Sequence, residues 1–410
     1  KVMAVSELTR NICINRYGID PDKVVAVHNA VDFSGREKLE VEITENRRDY
    51  DTAKILRIVE PSPKRIQPPC PYYGECGGCN MMHIDEESQR EFRKEMLRDC
   101  FQRNGVDVPE INVIYGNALG YRARFQLNDG GLSERGSNKI IPIAECMIAE
   151  KSVNRWLSEN KFEERPEGRC HLFSSEKVIS AGGKQGSKIA IAEEISRKPE
   201  QDFSAGRKNR NIKQIKKRYS GSIISEENTV EVNILGKTIS FDVRGFFQSN
   251  MEVLEKSIET LCSSLRGKSV LDMYSGCGTF SVFLADRFEK VTLVEHNRDA
   301  LVFAEKNLAG KNHESVGLSG AKWCEMNKGT RFDAAVIDPP RSGMEKPVRD
   351  WLCSSGIPFI RSVSCDPATH ARDAYHLIKA GYRLEKLFLL DFYPNTSHIE
   401  SLAFFEKIQP

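Results

Sequence analysis

Hydrophobic and polar residues follow two different rhythms along this chain, and the change falls near residue 250. Upstream, apolar positions are short and alternate with polar ones, as in Arg122-Ala123-Arg124-Phe125-Gln126-Leu127. Such alternation across residues 120–245 predicts antiparallel strands with one buried face. Leu39–Thr44 and Ala53–Glu60 predict two earlier strands joined by a charged turn. A proline-rich joint follows at Pro61, Pro63, Pro68, Pro69 and Pro71, where missing N–H donors interrupt any ladder. Glu86 to Asn104 predicts a helix. Residues 1–34 predict a helix at Ser6–Arg10, a loop, and a strand at Lys23–Val27. From residue 251 onward, apolar runs at Val270–Asp272, Val291–Glu295, Ala334–Asp338 and Phe359–Ser364 alternate with helical stretches. That order implies a parallel sheet covered by helices.

Composition narrows the class. A chain of 410 residues has room for two to four domains at about 150 residues each. Hydrophobic content of 40% and charged content of 29% exclude collagen-like and disordered proteins. No apolar run reaches the roughly 18 residues of a membrane-spanning helix. The opening Lys1–Val5 lacks an export pattern, so a cytoplasmic location and no membrane partner are expected. The net charge of +2 hides a local excess: Arg197–Arg218 holds nine Lys/Arg against two acids. Such a segment is ordinarily a solvated loop, and becomes an RNA-contacting surface only where other features call for one. The twelve cysteines change the picture more. Without export, disulfides are disfavoured, and metal ligation or catalysis explains some thiols better.

Three thiols fall in Cys70-x5-Cys76-x2-Cys79, interleaved with Gly74, Gly77 and Gly78. The glycines let backbone N–H groups close around a central ion or cluster. Cys146 is the candidate fourth ligand. Spacing alone leaves a [4Fe–4S] cluster and tetrahedral zinc open, beside unconnected buried thiols. Further on, Asp272–Phe280 forms a strand-to-helix glycine turn with Gly276 and Gly278. Glu295 closes the next strand, where an acid can bond ribose hydroxyls. Together with Asp338-Pro339-Pro340-Arg341 after a later strand, the turn favours S-adenosylmethionine over NAD; an ordinary tight turn is the plain alternative. Cys365 ends an apolar strand just before a helix starting near Ala368. The helix dipole is expected to lower its thiol pKa. Taken singly, Cys365 reads as an inert buried thiol, Glu400 as a solvated acid and His398 as structural.

Taken together, the cysteine run, Gly245–Asn250, Asp272–Phe280, Asp338–Gly343, Ser364–Asp373 and His398-Ile399-Glu400 closely resemble the RNA uracil-5 methyltransferases. The best match is the iron–sulfur type acting on 23S ribosomal RNA. The resemblance runs from about Gly35 to the C-terminus. It implies an α/β fold: a Rossmann-like S-adenosylmethionine-dependent methyltransferase domain, a mixed, mainly antiparallel β central domain, and a partial N-terminal TRAM (OB-like) barrel. The implied organisation is a glycosyltransferase-like fragment at 1–34, the partial TRAM domain at 35–61, an iron–sulfur and RNA-binding domain at 62–247, and the catalytic domain at 248–410.

By resemblance, Cys70, Cys76, Cys79 and Cys146 bind a [4Fe–4S] cluster. Gln248, Tyr274, Glu295 and Asp338, with Gly276 and Gly278, serve the methyl donor and the uracil pocket. Cys365 is the implied nucleophile and Glu400 the base. Arg122, Arg124 and Arg197–Arg218 are expected on RNA phosphates, and the implied partner is 23S rRNA bound by a monomer. A tRNA-directed enzyme and a non-catalytic RNA-binding protein are the alternatives. Asp366 and Thr279 stand where relatives commonly or sometimes have Asn. Residues 2–33 resemble a stretch of a GT-B glycosyltransferase without a complete sugar-nucleotide site, and no activity is expected of them.

Overall fold

The structure is a computed structural model. It describes residues 2–4, 24–26, 38–46, 51–194 and 226–408. The expected helix at Ser6–Arg10 and the basic segment Arg197–Arg218 lie outside the described residues. From the opening stretch, Val2–Ala4 pairs in parallel with Val24–Ala26.

The chain divides into two compact units. The first holds residues 1–69 and 81–92. It contains the antiparallel hairpin β1 (Lys38–Asn46) and β2 (Asp51–Glu60), close to the two predicted strands. Ile55, Leu56, Ile58 and Val59 are exposed on β2. A small cluster of Met81, Ile84 and Phe92 is the described core of this unit. The division falls inside helix α1 (Glu86–Arg103), which follows the predicted range within one residue.

The second unit holds residues 70–80 and 93–410. After β3 (Ile111–Ile114), its first part is antiparallel, as the alternation predicts. Strands β4 (Arg124–Asn128), β5 (Arg169–Ser174) and β8 (Ile189–Glu194) form a sheet of order β8-β5-β4, and helix α2 (Lys151–Glu159) lies in sequence between β4 and β5. Strands β6 (Val178–Ala181), β7 (Lys184–Gln185), β9 (Thr229–Ile234) and β10 (Lys237–Asp242) form another, of order β7-β6-β9-β10. Their buried faces join α3 (Met251–Cys262) in one core that runs on into the parallel sheet, through Val230, Ile239, Phe247, Leu254, Ile258 and Leu293.

The parallel sheet follows from the continuous apolar runs. Its strands are β11 (Gly267–Met273), β12 (Phe288–Val294), β13 (His313–Val316), β14 (Ala334–Ile337), β15 (Phe359–Ser364), β16 (Tyr382–Leu390) and β17 (Glu400–Lys407). Helices α4 (Thr279–Leu284), α5 (Arg298–Asn307), α6 (Gly320–Met326), α7 (Lys346–Ser355) and α8 (Pro367–Lys379) alternate with them. The spatial order is β13-β12-β11-β14-β15-β17-β16-β3. All neighbours are parallel except β17, which runs antiparallel to both β15 and β16. The reversal brings the start of β17 to the edge where the parallel strands end. Ligands of open α/β sheets bind at that carboxyl edge.

Candidate active site and cysteine pocket

Several strand ends bring the expected site residues to one edge of the sheet. The turn after β11 carries Tyr274, whose φ of 66° is left-handed, followed by Gly276 and Gly278. Gly278 has a φ of 78°, and a Cβ there would come within 3.2 Å of the Ala304 Cβ. Glu295 stands just past β12, buried, and its two oxygens accept from Gly276 N (3.0 Å) and Asn297 N (2.6 Å). It thus clamps the glycine turn. Among the described residues, the hydroxyls of Tyr274 and Ser275 and the Oε1 of Gln248 are buried without a partner. Buried polar groups ordinarily find one, so these atoms are free to bond a ligand.

Asp338 ends β14, and burial raises its carboxyl to about 7. Cys365 follows β15 directly. Ser364 pairs with Ser401 across the antiparallel β15–β17 ladder, so the next residue outward on one side is Cys365 and on the other Glu400. Glu400 is 6% exposed. Burial, then the charge of Asp338, raises it to about 8. Gln248 donates to its Oε2 at 3.3 Å. Gln248 owes its place to Phe247, stacked on Phe241 at 3.9 Å between ring centres, and to Asn250, which caps α3 by accepting from Val253 N.

The expected lowering of the Cys365 pKa is not what the structure gives. Burial, then Glu400 and Asp338, raises it, while Arg341 and a backbone hydrogen bond pull the other way. Burial first, and then the two nearby acids, outweigh the end of a helix whose cap is already taken by Asp366, accepting from Thr369 N at 2.8 Å. Helix α8 nevertheless begins at Pro367, one residue from the expected start. It also braces the loop after β14: Thr369 Oγ1 donates to Arg341 O, and Asp373 accepts from Met344 N.

Sequence reasoning gave no role to Arg341 or Tyr393. Tyr393 is raised to about 12 by burial and then by Glu400. The Asp-Pro-Pro-Arg run was the available signal for Arg341; Tyr393 had none. The His398 imidazole is lowered by desolvation and then by Arg341 and Arg122. Buried His370, on α8, shares a 2.7 Å hydrogen bond with Ser401 Oγ, beside Glu400. Arg124 is largely buried, while Arg122 directs its Nε to Arg124 O at 3.0 Å.

A second feature lies at the antiparallel end of this unit. Cys70, Cys76, Cys79 and Cys146 all line one cavity of about 440 Å³, together with Arg122 and Phe125. Gly77 N bonds Ser133 O at 3.0 Å, and a Cβ at Gly77 would meet that oxygen at 3.2 Å, so the two strands of chain approach closely there. Asn154 holds Cys146 by both backbone groups at 2.9 Å. Burial, then the neighbouring Cys146, Cys76 and Cys70, pushes Cys79 up to about 12. Among the described residues, no group of three or more His, Cys, Asp or Glu is arranged to hold a metal ion.

Comparison with known proteins now applies. A family model described as tRNA (Uracil-5-)-methyltransferase matches residues 134–408. The chain belongs to the RNA uracil-5 methyltransferases. Among curated proteins, this methyltransferase is 36% identical to an uncharacterised RNA methyltransferase of Treponema denticola, over 90% of this chain and 91% of that protein. It is 29% identical to the 23S rRNA (uracil(1939)-C(5))-methyltransferase RlmD of Chromohalobacter salexigens, over 91% of this chain and 83% of that one. Among solved structures, it resembles the Pyrococcus abyssi tRNA (uracil-54, C5)-methyltransferase in complex with S-adenosyl-L-homocysteine. That match has a TM-score of 0.65 and 21% identity, and covers 90% of this chain and 93% of the other. It establishes the shared S-adenosylmethionine-dependent methyltransferase fold. Among the described residues, no helix of this methyltransferase is long and apolar enough to cross a membrane.

Proposed function

We propose that this enzyme methylates C5 of a uridine in 23S rRNA with S-adenosylmethionine, using Cys365 as nucleophile and Glu400 as base. The observation that carries the proposal is the convergence of Cys365 and Glu400 at one sheet edge, with Gln248 bonded to Glu400 and Asp338 and Arg341 close by. The rRNA assignment draws on the RlmD relatives.

Uracil C5 is too weak a nucleophile to take a methyl group directly. The Cys365 thiolate adds to C6, and the C5–C6 electron pair moves into an enolate. The donor supplies an electrophilic methyl group on a sulfonium sulfur; C5 bonds to that methyl as its bond to sulfur breaks, and the neutral thioether leaves. C5 then carries both methyl and hydrogen. Ionised Glu400 removes that proton, the C5–C6 double bond re-forms, and the C6–S bond breaks to return the thiolate. Arg341 favours the thiolate form of Cys365. Glu295, clamping Gly276, and the unpartnered Tyr274 and Ser275 hydroxyls suit the donor cleft. The base must leave its stack to reach Cys365, and looped RNA lowers that cost.

Cys70, Cys76, Cys79 and Cys146 are assigned to a [4Fe–4S] cluster. The support for this assignment is that all four thiols line one cavity, in the spacing that resembles the iron–sulfur members of the family. A bound cluster supplies a rigid cross-link between four thiolates. The β1–β2 hairpin is assigned to the remaining half of a TRAM barrel, its exposed apolar residues being those a full barrel would cover. The enzyme is assigned as a cytoplasmic monomer.

The test is release of tritium from RNA labelled at uridine C5. Wild-type enzyme releases it and Cys365→Ala does not; release by Cys365→Ala rejects the mechanism. Mapping 5-methyluridine in cells without the enzyme decides the substrate: loss from 23S rRNA supports the proposal, and loss from tRNA alone overturns the rRNA assignment.

A further inference from the structure

The base Glu400 ends a hairpin loop. Leu390 of β16 pairs with Glu400 of β17, so residues 391–399 form a nine-residue connection closing on that pair. Inside it, Thr396 Oγ1 donates to Tyr393 O at 2.7 Å and accepts from His398 N at 3.2 Å, and partners outside the loop fix it to the rest of the unit. At its start, Arg93 forms a buried two-point ion pair with Asp391, at 2.6 and 3.0 Å, and Asp391 N bonds Ile114 O. In the middle, Tyr121 donates to Pro394 O and Asn395 donates to Ala118 O. At the end nearest Glu400, the partner is Asn80.

Asn80 makes three hydrogen bonds to this loop. Its backbone N donates to Asn395 O at 3.0 Å. Its amide donates to Ser397 Oγ at 2.8 Å and accepts from Ser397 N at 2.8 Å. The side chain thus grips one residue by both backbone and hydroxyl, a geometry that fixes orientation as well as position. Asn80 also follows Cys79 directly, and Arg135 bonds the Cys79 carbonyl. Asn80 therefore joins the cysteine pocket to the end of the loop nearest the base, 317 positions away at Ser397, while Tyr121, next to pocket-lining Arg122, joins it to the middle at Pro394.

We infer that Asn80 is a positioning residue for proton removal from C5. It fastens the 391–399 loop to the cysteine pocket and so sets the reach of Glu400 toward the methylated adduct. The inference rests on Glu400 being the base. Nucleophilic addition by Cys365 comes from β15, which Asn80 does not touch, so loss of Asn80 should slow the last step and spare the first.

The experiment follows the covalent enzyme–RNA adduct on denaturing gels in a single turnover, with S-adenosylhomocysteine affinity as a control for folding. Glu400→Gln is the reference and should accumulate methylated adduct. If it turns over like wild type without adduct, the base assignment falls, whatever Asn80 does. With the reference behaving as expected, Asn80→Ala should accumulate adduct and resolve it on the order of tenfold to a hundredfold more slowly, the scale of a small misplacement of a reacting group. Its S-adenosylhomocysteine affinity and rate of adduct formation should match wild type. Asn80→Asp should recover resolution, because a carboxylate can still accept from Ser397 N and from the Ser397 hydroxyl. Resolution at the wild-type rate in Asn80→Ala, equal slowing of formation and resolution, or failure of Asn80→Asp to recover would each overturn the inference. If Asn80→Ala does not fold, Ser397→Ala decides: it removes one of the three bonds and should slow resolution by less, and an unchanged rate rejects the role.

Discussion

Glu400 behaves as a residue tuned by where it sits. A carboxyl near 8 is mostly protonated at neutral pH, yet a base must be ionised to accept a proton. The rate of adduct resolution should therefore rise with pH up to about 8 and level off above it. Glu400→Gln should show no such limb; a flat profile in the wild type would reject Glu400 as the titrating base. The same shift bears on stability. The folded-state pKa lies above the ordinary 4.5, so the folded form holds the proton more tightly. That contribution is complete below about 4.5 and is lost as pH rises through about 8. Glu400→Gln, which is neutral at every pH, should then melt above the wild type at pH above 8 and close to it in acid, by differential scanning fluorimetry. The reverse order would show that the carboxylate is better accommodated than its burial implies.

At the scale of elements, what the sequence made legible was local. Val270–Asp272, Val291–Glu295 and Phe359–Ser364 declared parallel strands by short apolar-rich runs between helical stretches, even with Thr292, Arg361 and Ser362 inside them, and the glycine turn declared a binding edge because few residues tolerate its backbone. Gly278 shows why. Its left-handed φ costs an L-residue about 1–2 kcal/mol, and a Cβ would press on Ala304. Gly278→Ala should lower the melting temperature and weaken S-adenosylhomocysteine binding by calorimetry; unchanged binding would exclude the turn from the donor site. Other features were not legible, because they depend on pairings distant in the chain. The reversal of β17 brings Glu400 beside Cys365, and no local pattern announces it. The Arg93–Asp391 pair spans 298 positions. Both side chains are about 1–2% exposed, so removing one strands a buried charge. Arg93→Leu should cost about 3–5 kcal/mol, and adding Asp391→Leu should return much of it. Equal denaturation midpoints for the single and double variants would contradict this.

Across the second unit, the buried residues fall into three main cores, and the site draws on each differently. Two of them flank the parallel sheet and support the turn proposed to take the donor, through Cys277 and Leu293 on one side and Met273 and Val294 on the other. The third gathers Phe125, Ile141, Ile143, Val153, Leu157 and Leu172, and the thiols Cys76 and Cys146 pack against it. This core is the smallest of the three and the one whose neighbouring chain, residues 70–80, has little regular structure of its own. Its integrity should therefore depend most on ligation of the cysteines, while the donor cleft rests on larger cores that do not need it. Cys76→Ser should lower the stability of the antiparallel part and abolish RNA methylation, yet leave S-adenosylhomocysteine binding near the wild-type affinity. Calorimetry and tritium release on the same preparation check both halves of the prediction. Loss of methylation and of S-adenosylhomocysteine binding together would mean that the cores fold as one, and that the cysteine pocket supports the donor cleft directly. Loss of methylation alone fits a pocket that acts on the reaction through the loop it anchors, because that loop, and not the donor cleft, is what Asn80 ties to the cysteines.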